Sequence, residues 1–317
     1  VGNIAIGKNV MEDVTSGCVN IAMGCGTMKQ TTTGQNNIAM GHAAYENATT
    51  GCLNIALGYA TMSAVVTGKQ NIALGEATMD ALTSGTHNVA MGLNALGAST
   101  TGSNNVALGA AAMSGGDVTG QYNVAIGGST LDAVTTGAHN IAMGLNALGA
   151  STTGCQNIAL GYDALAGADT TGINNIAIGG YGAMDALTTG ICNVAIGVNA
   201  LGAATTACYN IAIDSLALGT ATLACGGSGQ AENNIAIGSA ANEDATTQSY
   251  GVAIGYRAAR QGTTGSYSVA LGAHAMEGGI TTGIANIGIG MSAANDVTSG
   301  NCNVAIGRSA MATVTSG

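Results

Sequence analysis

A five-residue pattern, Asn-(Ile/Val)-Ala-(Ile/Leu/Met)-Gly, returns eighteen times along the chain, and a sequence this periodic folds as a stack of similar units. Its copies begin at Asn3, Asn20, Asn37, Asn54, Asn71, Asn88, Asn105, Asn123, Asn140, Asn157, Asn175, Asn193, Asn210 and Asn234, then at Gly251, Ser268, Asn286 and Asn303. The step is nearly constant: Asn3 to Asn20 is the common interval, Asn105 to Asn123 is one residue longer, and only Asn210 to Asn234 departs from these two. Numbering the leading residue as position 1, position 2 is always Ile or Val, position 3 is Ala except at Gly288, and position 5 is Gly except at Asp214. Position 9 is usually Met or Leu, as at Met28, Met62, Leu96 and Leu148, and positions 13 to 15 usually read Thr-Thr-Gly or Thr-Ser-Gly. A longer period lies above this one: residues 71–122 match residues 123–174 coil by coil, and a third block starts at Asn175.

The array divides into a regular stretch, 1–209, an irregular coil with an inserted loop, 210–233, and a more divergent continuation, 234–317. It opens at Val1 and closes at Thr315-Ser316-Gly317 in mid-motif, which reads as a segment of a longer array. Composition narrows what such an array can be. With 47% hydrophobic and 7% charged residues the chain is too apolar and too weakly charged for disorder, while its nine aromatics, all Tyr, are too few for a thick globular core. A net charge of -10 with only six scattered Lys and Arg excludes a nucleic-acid partner. Apolar runs are broken by Gly, Asn or Thr well short of the ~20 residues that span a bilayer, so this segment is not expected to insert into a membrane.

Positions 1 to 5 alternate a branched aliphatic with Ala and end in Gly, which predicts a short strand apolar on both faces. Thr-Thr-Gly predicts a turn, and positions 6 to 12 read as a second, weaker extended segment. Regular Gly and β-branched residues without a 3.6-residue apolar period oppose helix. The expected fold is all-β: a parallel β-solenoid or β-roll with coils of about 17 residues, stacked at roughly 4.8 Å into a rod of about 85 Å. Position 1 then forms a structural Asn column along the axis: Asn3, Asn20, Asn37, Asn54, Asn71, Asn88, Asn105, Asn123, Asn140, Asn157, Asn175, Asn193, Asn210, Asn234, Asn286 and Asn303. Two pleats stay open. Positions 2 and 4 point inward, leaving an outer strip of Asn, Ala and Gly, or they point outward as a column of large aliphatics. Either strip favours lateral association, and the second requires it, so a homo-oligomer is expected.

The run Asn-Ile-Ala-Ile-Gly followed by Ala at position 8 resembles the head repeats of trimeric autotransporter adhesins, in which three chains form intertwined left-handed parallel β-rolls. The fuller unit Asn88-Val-Ala-Met-Gly-Leu-Asn-Ala-Leu-Gly-Ala-Ser-Thr-Thr-Gly102 is more similar to repeats of phage tail-fibre and tailspike-like proteins. The resemblance covers essentially the whole chain. It implies a homotrimeric fibre shaft, extracellular on a virion or a cell surface, that contributes to binding a host-cell receptor or glycan. The adhesin repeat is shorter than the one here, and no coiled-coil stalk, membrane barrel or chaperone domain is read within residues 1–317.

No catalytic, cofactor-binding or metal-ligating constellation is expected. The cysteines, Cys18, Cys25, Cys52, Cys155, Cys192, Cys208, Cys225 and Cys302, lack metal spacing; Cys192 and Cys208 lie on adjacent coils within reach of a disulfide, and free thiols are the simpler expectation. His42, His87, His139 and His274 accompany no nucleophile. Acidic residues near position 10 (Glu12, Glu46, Asp80, Asp132, Asp185, Glu243, Glu277, Asp296) make a broken stripe, too dispersed for calcium and suited to solvation. Asp214 in the Gly column and the run Cys225 to Asn233 read as a tolerated insertion with an exposed loop. The leading function is therefore a non-enzymatic structural or adhesive fibre acting through stiffness and multivalency. An ice-binding solenoid ranks second, because adjacent threonines do not share one strand face. A left-handed hexapeptide β-helix acyltransferase ranks last, because the large residues fall at 2, 4 and 9 instead of every sixth position.

Overall fold

The computed structural model describes residues 2–224, 232–278 and 282–313. The described chain is all-β, with 18 three-residue parallel strands, one per coil, and no helix. It is a β-solenoid that divides into two compact units, Val1–Cys155 and Gln156–Gly317. The first holds β1 to β9: Ile4–Ile6, Ile21–Met23, Ile38–Met40, Ile55–Leu57, Ile72–Leu74, Val89–Met91, Val106–Leu108, Val124–Ile126 and Ile141–Met143. The second holds β10 to β18: Ile158–Leu160, Ile176–Ile178, Val194–Ile196, Ile211–Ile213, Ile235–Ile237, Val252–Ile254, Val269–Leu271, Ile287–Ile289 and Val304–Ile306.

Within each unit every strand pairs with the next in strict motif register, as in Ile38↔Ile55 and Val194↔Ile211. The long coil leaves that register untouched, since Ile211 pairs with Ile235 and Asn210 Oδ1 still accepts the Asn234 N–H at 3.0 Å. Insertion therefore costs only loop entropy. Residues 225–231, the greater part of the loop expected there, and Thr315 to Gly317 lie outside the described residues.

The pleat resolves the two alternatives left by the sequence. Position 3 is buried in every coil from β2 onward, whereas positions 2 and 4 are half-buried or exposed. Within positions 1 to 5, odd positions point in and even ones out. The interior is filled from the opposite wall by position 9 (Met28, Met79, Leu96, Leu131, Leu148, Leu201), or by position 10 in the longer coil that carries Met184, with Ala or Thr just before it. Buried Thr hydroxyls donate to the position-5 carbonyl of the next coil, as from Thr78 to Gly92 at 2.6 Å.

Asn at position 1 faces the same interior. Asn37 is typical: its Nδ2 donates to the Gly51 carbonyl of its own coil at 2.8 Å, and its Oδ1 accepts the Asn54 N–H of the next coil at 2.9 Å. One side chain closes a coil and joins two. Fourteen of the sixteen column asparagines are buried; Asn3 is exposed and Asn303 half-buried. A buried amide so paired stabilises, while an unpaired one costs a full desolvation penalty. Gly at position 5 is equally constrained: at Gly75 φ is +138°, and a Cβ there would stand 2.6 Å from the Gly92 carbonyl oxygen.

The second extended segment expected over positions 6 to 12 is not formed. Those residues are turn backbone in which positions 7 and 9 are left-handed, as at Asn94 (φ 55°) and Leu96 (φ 53°). The N–H groups of the two left-handed positions point toward opposite ends of the stack, while that of Ala95 between them donates to Gly92 of its own coil at 3.4 Å. Asn94 N–H donates back to Glu76 at 2.9 Å, and Leu96 N–H donates forward to Ala112 at 2.8 Å. Each left-handed non-Gly residue costs roughly 1–2 kcal/mol, and the axial hydrogen bonds offset it. Local propensity carries only part of this arrangement: Asn, as at Asn94, Asn146 and Asn199 in position 7, enters the left-handed region readily, but Leu96 in position 9 takes it because a neighbouring coil supplies the partner.

Candidate functional site

The outward parity of the strand builds one continuous surface in each unit. The residue just before position 1, taken as position 0, is also left-handed and points outward, so positions 0, 2, 4 and 6 share a face. Positions 2 and 4 are aliphatic or Met in all eighteen coils. In the coil of β9 the four outward residues are His139, Ile141, Met143 and Leu145, with Ile141 39%, Met143 42% and Leu145 53% exposed. Met40, Met91, Ile196 and Ile254 stand out in the same way. Such a contiguous apolar strip exceeds the scattered apolar exposure that is normal on a protein surface.

Aromatic rings flank the strip. Tyr45, the one buried tyrosine, replaces Met or Leu in the core column; burial drives its phenol pKa above the usual value, and its oxygen accepts Asn54 Nδ2 at 2.7 Å. The other eight tyrosines are exposed at positions 0 or 6, with Tyr181 one residue further on. Rings on neighbouring coils meet: His42 on Tyr59 at 5.4 Å, Tyr122 on His139 at 5.0 Å, Tyr250 on Tyr267 at 5.1 Å. The sequence reading missed this rim. Its signal was parity, since exposed Tyr and His recur at positions 0 and 6, with Tyr181 and His274 one residue further on.

Charge is kept off the face. Only Lys8, Glu76 and Arg308, all at position 6, carry charge there. The acidic stripe lies on the far turns, where Glu12 meets Lys29 at 3.7 Å and Glu243 meets Arg260 at 2.7 Å. The hydrogen bond from Arg260 to Glu243 holds the guanidinium pKa above its ordinary value, and burial raises that of Asp80. Among the described residues no three His, Cys, Asp or Glu converge to hold a metal ion.

The remaining candidates are dispersed. His42 and His139 lie against tyrosine rings, His87 is a left-handed residue of the position-0 column, and His274 pairs through Nδ1 with Glu277. The pairing of Cys192 with Cys208 does not occur: Cys192 is a free thiol and Cys208 is disulfide-bonded. Cys18, Cys25, Cys52, Cys155 and Cys302 are also free, and Cys225 lies outside the described residues. Position-13 threonines spend their hydroxyls along the stack, as from Thr83 to the Thr100 carbonyl at 2.9 Å. Their position-14 neighbours, such as Thr33 and Thr101, are exposed on a separate line.

No family model matches the chain, and no curated protein matches it. Among the described residues no helix is long and apolar enough to cross a membrane.

Proposed function

We propose that the chain is a repetitive, non-enzymatic shaft of a structural or adhesive fibre, which associates laterally with further copies of itself through the outward face of positions 2 and 4. The observation that carries this reading is the aliphatic strip of each unit, exposed at residues such as Met91 and Met143 in the first and Ile196 and Ile254 in the second, with no charged residue at either position in any of the eighteen coils. At -10 net charge, copies of the chain repel one another generally, and the uncharged strip is where they approach at least electrostatic cost. A central apolar band with Tyr and His at its margins is also the usual anatomy of a protein interface.

A homotrimer is the assembly that the resemblance to adhesin and tail-fibre repeats favours. The same resemblance favours an extracellular setting, on a virion or a cell surface, with repeated weak contacts to a receptor or glycan adding up by multivalency. The test is the native mass of the chain in solution, combined with electron microscopy of the particles. A mass three times that of one chain, in elongated particles, supports the reading; a stable monomer at micromolar concentration, or a compact particle, removes it.

A further inference from the structure

One coil of the second unit has no core of its own. In residues 251–267 the buried positions are Gly251, Ala253, Ala258, Ala259, Gly262 and Gly265, so no interior side chain exceeds a methyl group. The coil 175–192 of the same unit buries Asn175, Met184 and Leu187 at the corresponding places. Position 9 holds Ala259 where most coils place Met or Leu; Ala294 is as small two coils on, but there Val297 is buried beside it. The neighbour of Ala259 below is Asn242, fully buried with neither amide atom hydrogen-bonded. Small side chains give up dispersion contacts, and an unpaired buried amide gives up its hydration without return.

The Asn column fails at the same place. Gly251 still donates its N–H to Asn234 Oδ1 at 3.0 Å but has no side-chain amide to pass on, and Gln248 fills the gap from the coil below, its Nε2 occupying the space that a Gly251 Cβ would need, while its own Oε1 has no partner. In the next coil Ser268 substitutes for Asn, and its hydroxyl takes the Asn286 N–H at a long 3.3 Å. In place of core and column, ion pairs tie this coil to both neighbours: Arg260 to Glu243 below at 2.7 Å, and Arg257 to Glu277 above at 3.2 Å. These pairs are partly exposed, a setting in which salt screens them.

We infer that residues 251–267 are a built-in opening point of the second unit, a coil held by ion pairs instead of core packing, which opens locally before its neighbours and does so more readily as salt rises. The inference does not depend on the fibre reading. Local opening here frees the edges of β14 and β16 while the Met- and Leu-filled coils nearer β11 stay closed, so the unit yields at a defined rung. Regions with few apolar contacts are where local opening free energies are lowest.

Hydrogen–deuterium exchange of the full chain tests this. Reporter amides are those of Val252, Arg257 and Ala259, which donate to the Ser268, Ser239 and Ala275 carbonyls at 2.9, 2.9 and 2.8 Å. Peptides covering 251–267 should exchange at least tenfold faster than those covering 175–192, and 1 M salt should widen the ratio at least twofold. In Ala259→Leu, refilling the core column should slow exchange of this coil toward that of 175–192. Equal protection of the two coils in the native chain overturns the inference, as does a ratio indifferent to salt or an Ala259→Leu chain that exchanges faster.

Discussion

Met91 and Met143 occupy position 4 in two duplicated blocks and are 43% and 42% exposed, so converting both to Asp tests the outward face at two equivalent points. In a single chain the change is mild. Neither side chain supports the interior, and each new carboxylate stays in water; the cost is the poor strand preference of Asp, up to ~1 kcal/mol per site. In an assembly buried along this face the balance differs. Fully burying a Met contributes roughly 1.5–3 kcal/mol, so the two-fifths still exposed is worth ~0.6–1.2 kcal/mol on association. A carboxylate carried into an apolar seam without a cation costs several kcal/mol more. The two terms together come to about 3–5 kcal/mol per site, a loss of two to three decades or more in association constant at ~1.4 kcal/mol per decade.

Sedimentation equilibrium over a hundredfold concentration range reads this directly. The native chain should associate, the double variant should be monomeric across the range, and circular dichroism should show the same β content in both. Ser63→Asp, which adds charge at position 10 on the far turn, should associate like the native chain. Equal association of the native and Met91→Asp/Met143→Asp chains, or equal disruption by Ser63→Asp, refutes the assignment of the strip as the contact surface.

Three further outcomes follow from single positions. Asp214 sits in the Gly column at φ 95°, a backbone state costing about 1–3 kcal/mol for a residue with a side chain; Asp214→Gly should raise the melting temperature, by about 1–3 °C once the lost Asp214 Oδ1 bond to the Ser215 N–H is offset. Gly251→Asn should destabilise by roughly 1–3 kcal/mol through collision with Gln248, and adding Gln248→Gly should recover most of the loss; chemical denaturation of the four chains gives the coupling, and additive losses exclude the substitution of one amide for the other. Tyr45 has a folded pKa above its usual 10.0, chiefly from burial and partly opposed by Asn54, so it stays protonated in the folded chain after the unfolded chain has lost its proton. Its stabilising effect is thus complete below pH 10 and declines above it, by up to about 1.4 kcal/mol per pH unit relative to Tyr45→Phe; parallel stability curves for the two chains above pH 10 contradict this.

The period, the parallel stacking and the all-β class were legible because they follow from a repeat that only neighbouring copies can satisfy. The left-handed turns were not. Leu96 has no local preference for φ near 55°, and it adopts that value because the next coil supplies the Ala112 carbonyl; Asn94 tolerates it more readily and donates to the Glu76 carbonyl. Nor did propensity decide the pleat, since Ile and Ala are both apolar and either suits an interior.

Parity does decide the pleat, through the two residues least able to change sides. Asn37 must reach the carbonyl of Gly51 within its own coil and the N–H of Asn54 in the next, which it can do only from inside. Gly75 has no space for even a Cβ against the following coil. Position 3 shares their parity and is Ala because the wall opposite already carries Met79 and Leu82 into a narrow interior. Ile72 and Leu74 are then forced outward in every copy of the motif, whatever their hydrophobicity. The interaction surface is the consequence of a column of buried amides: a coil closed by Asn on the inside has to display its largest strand residues on the outside, and an array of such coils is driven to find a partner for them.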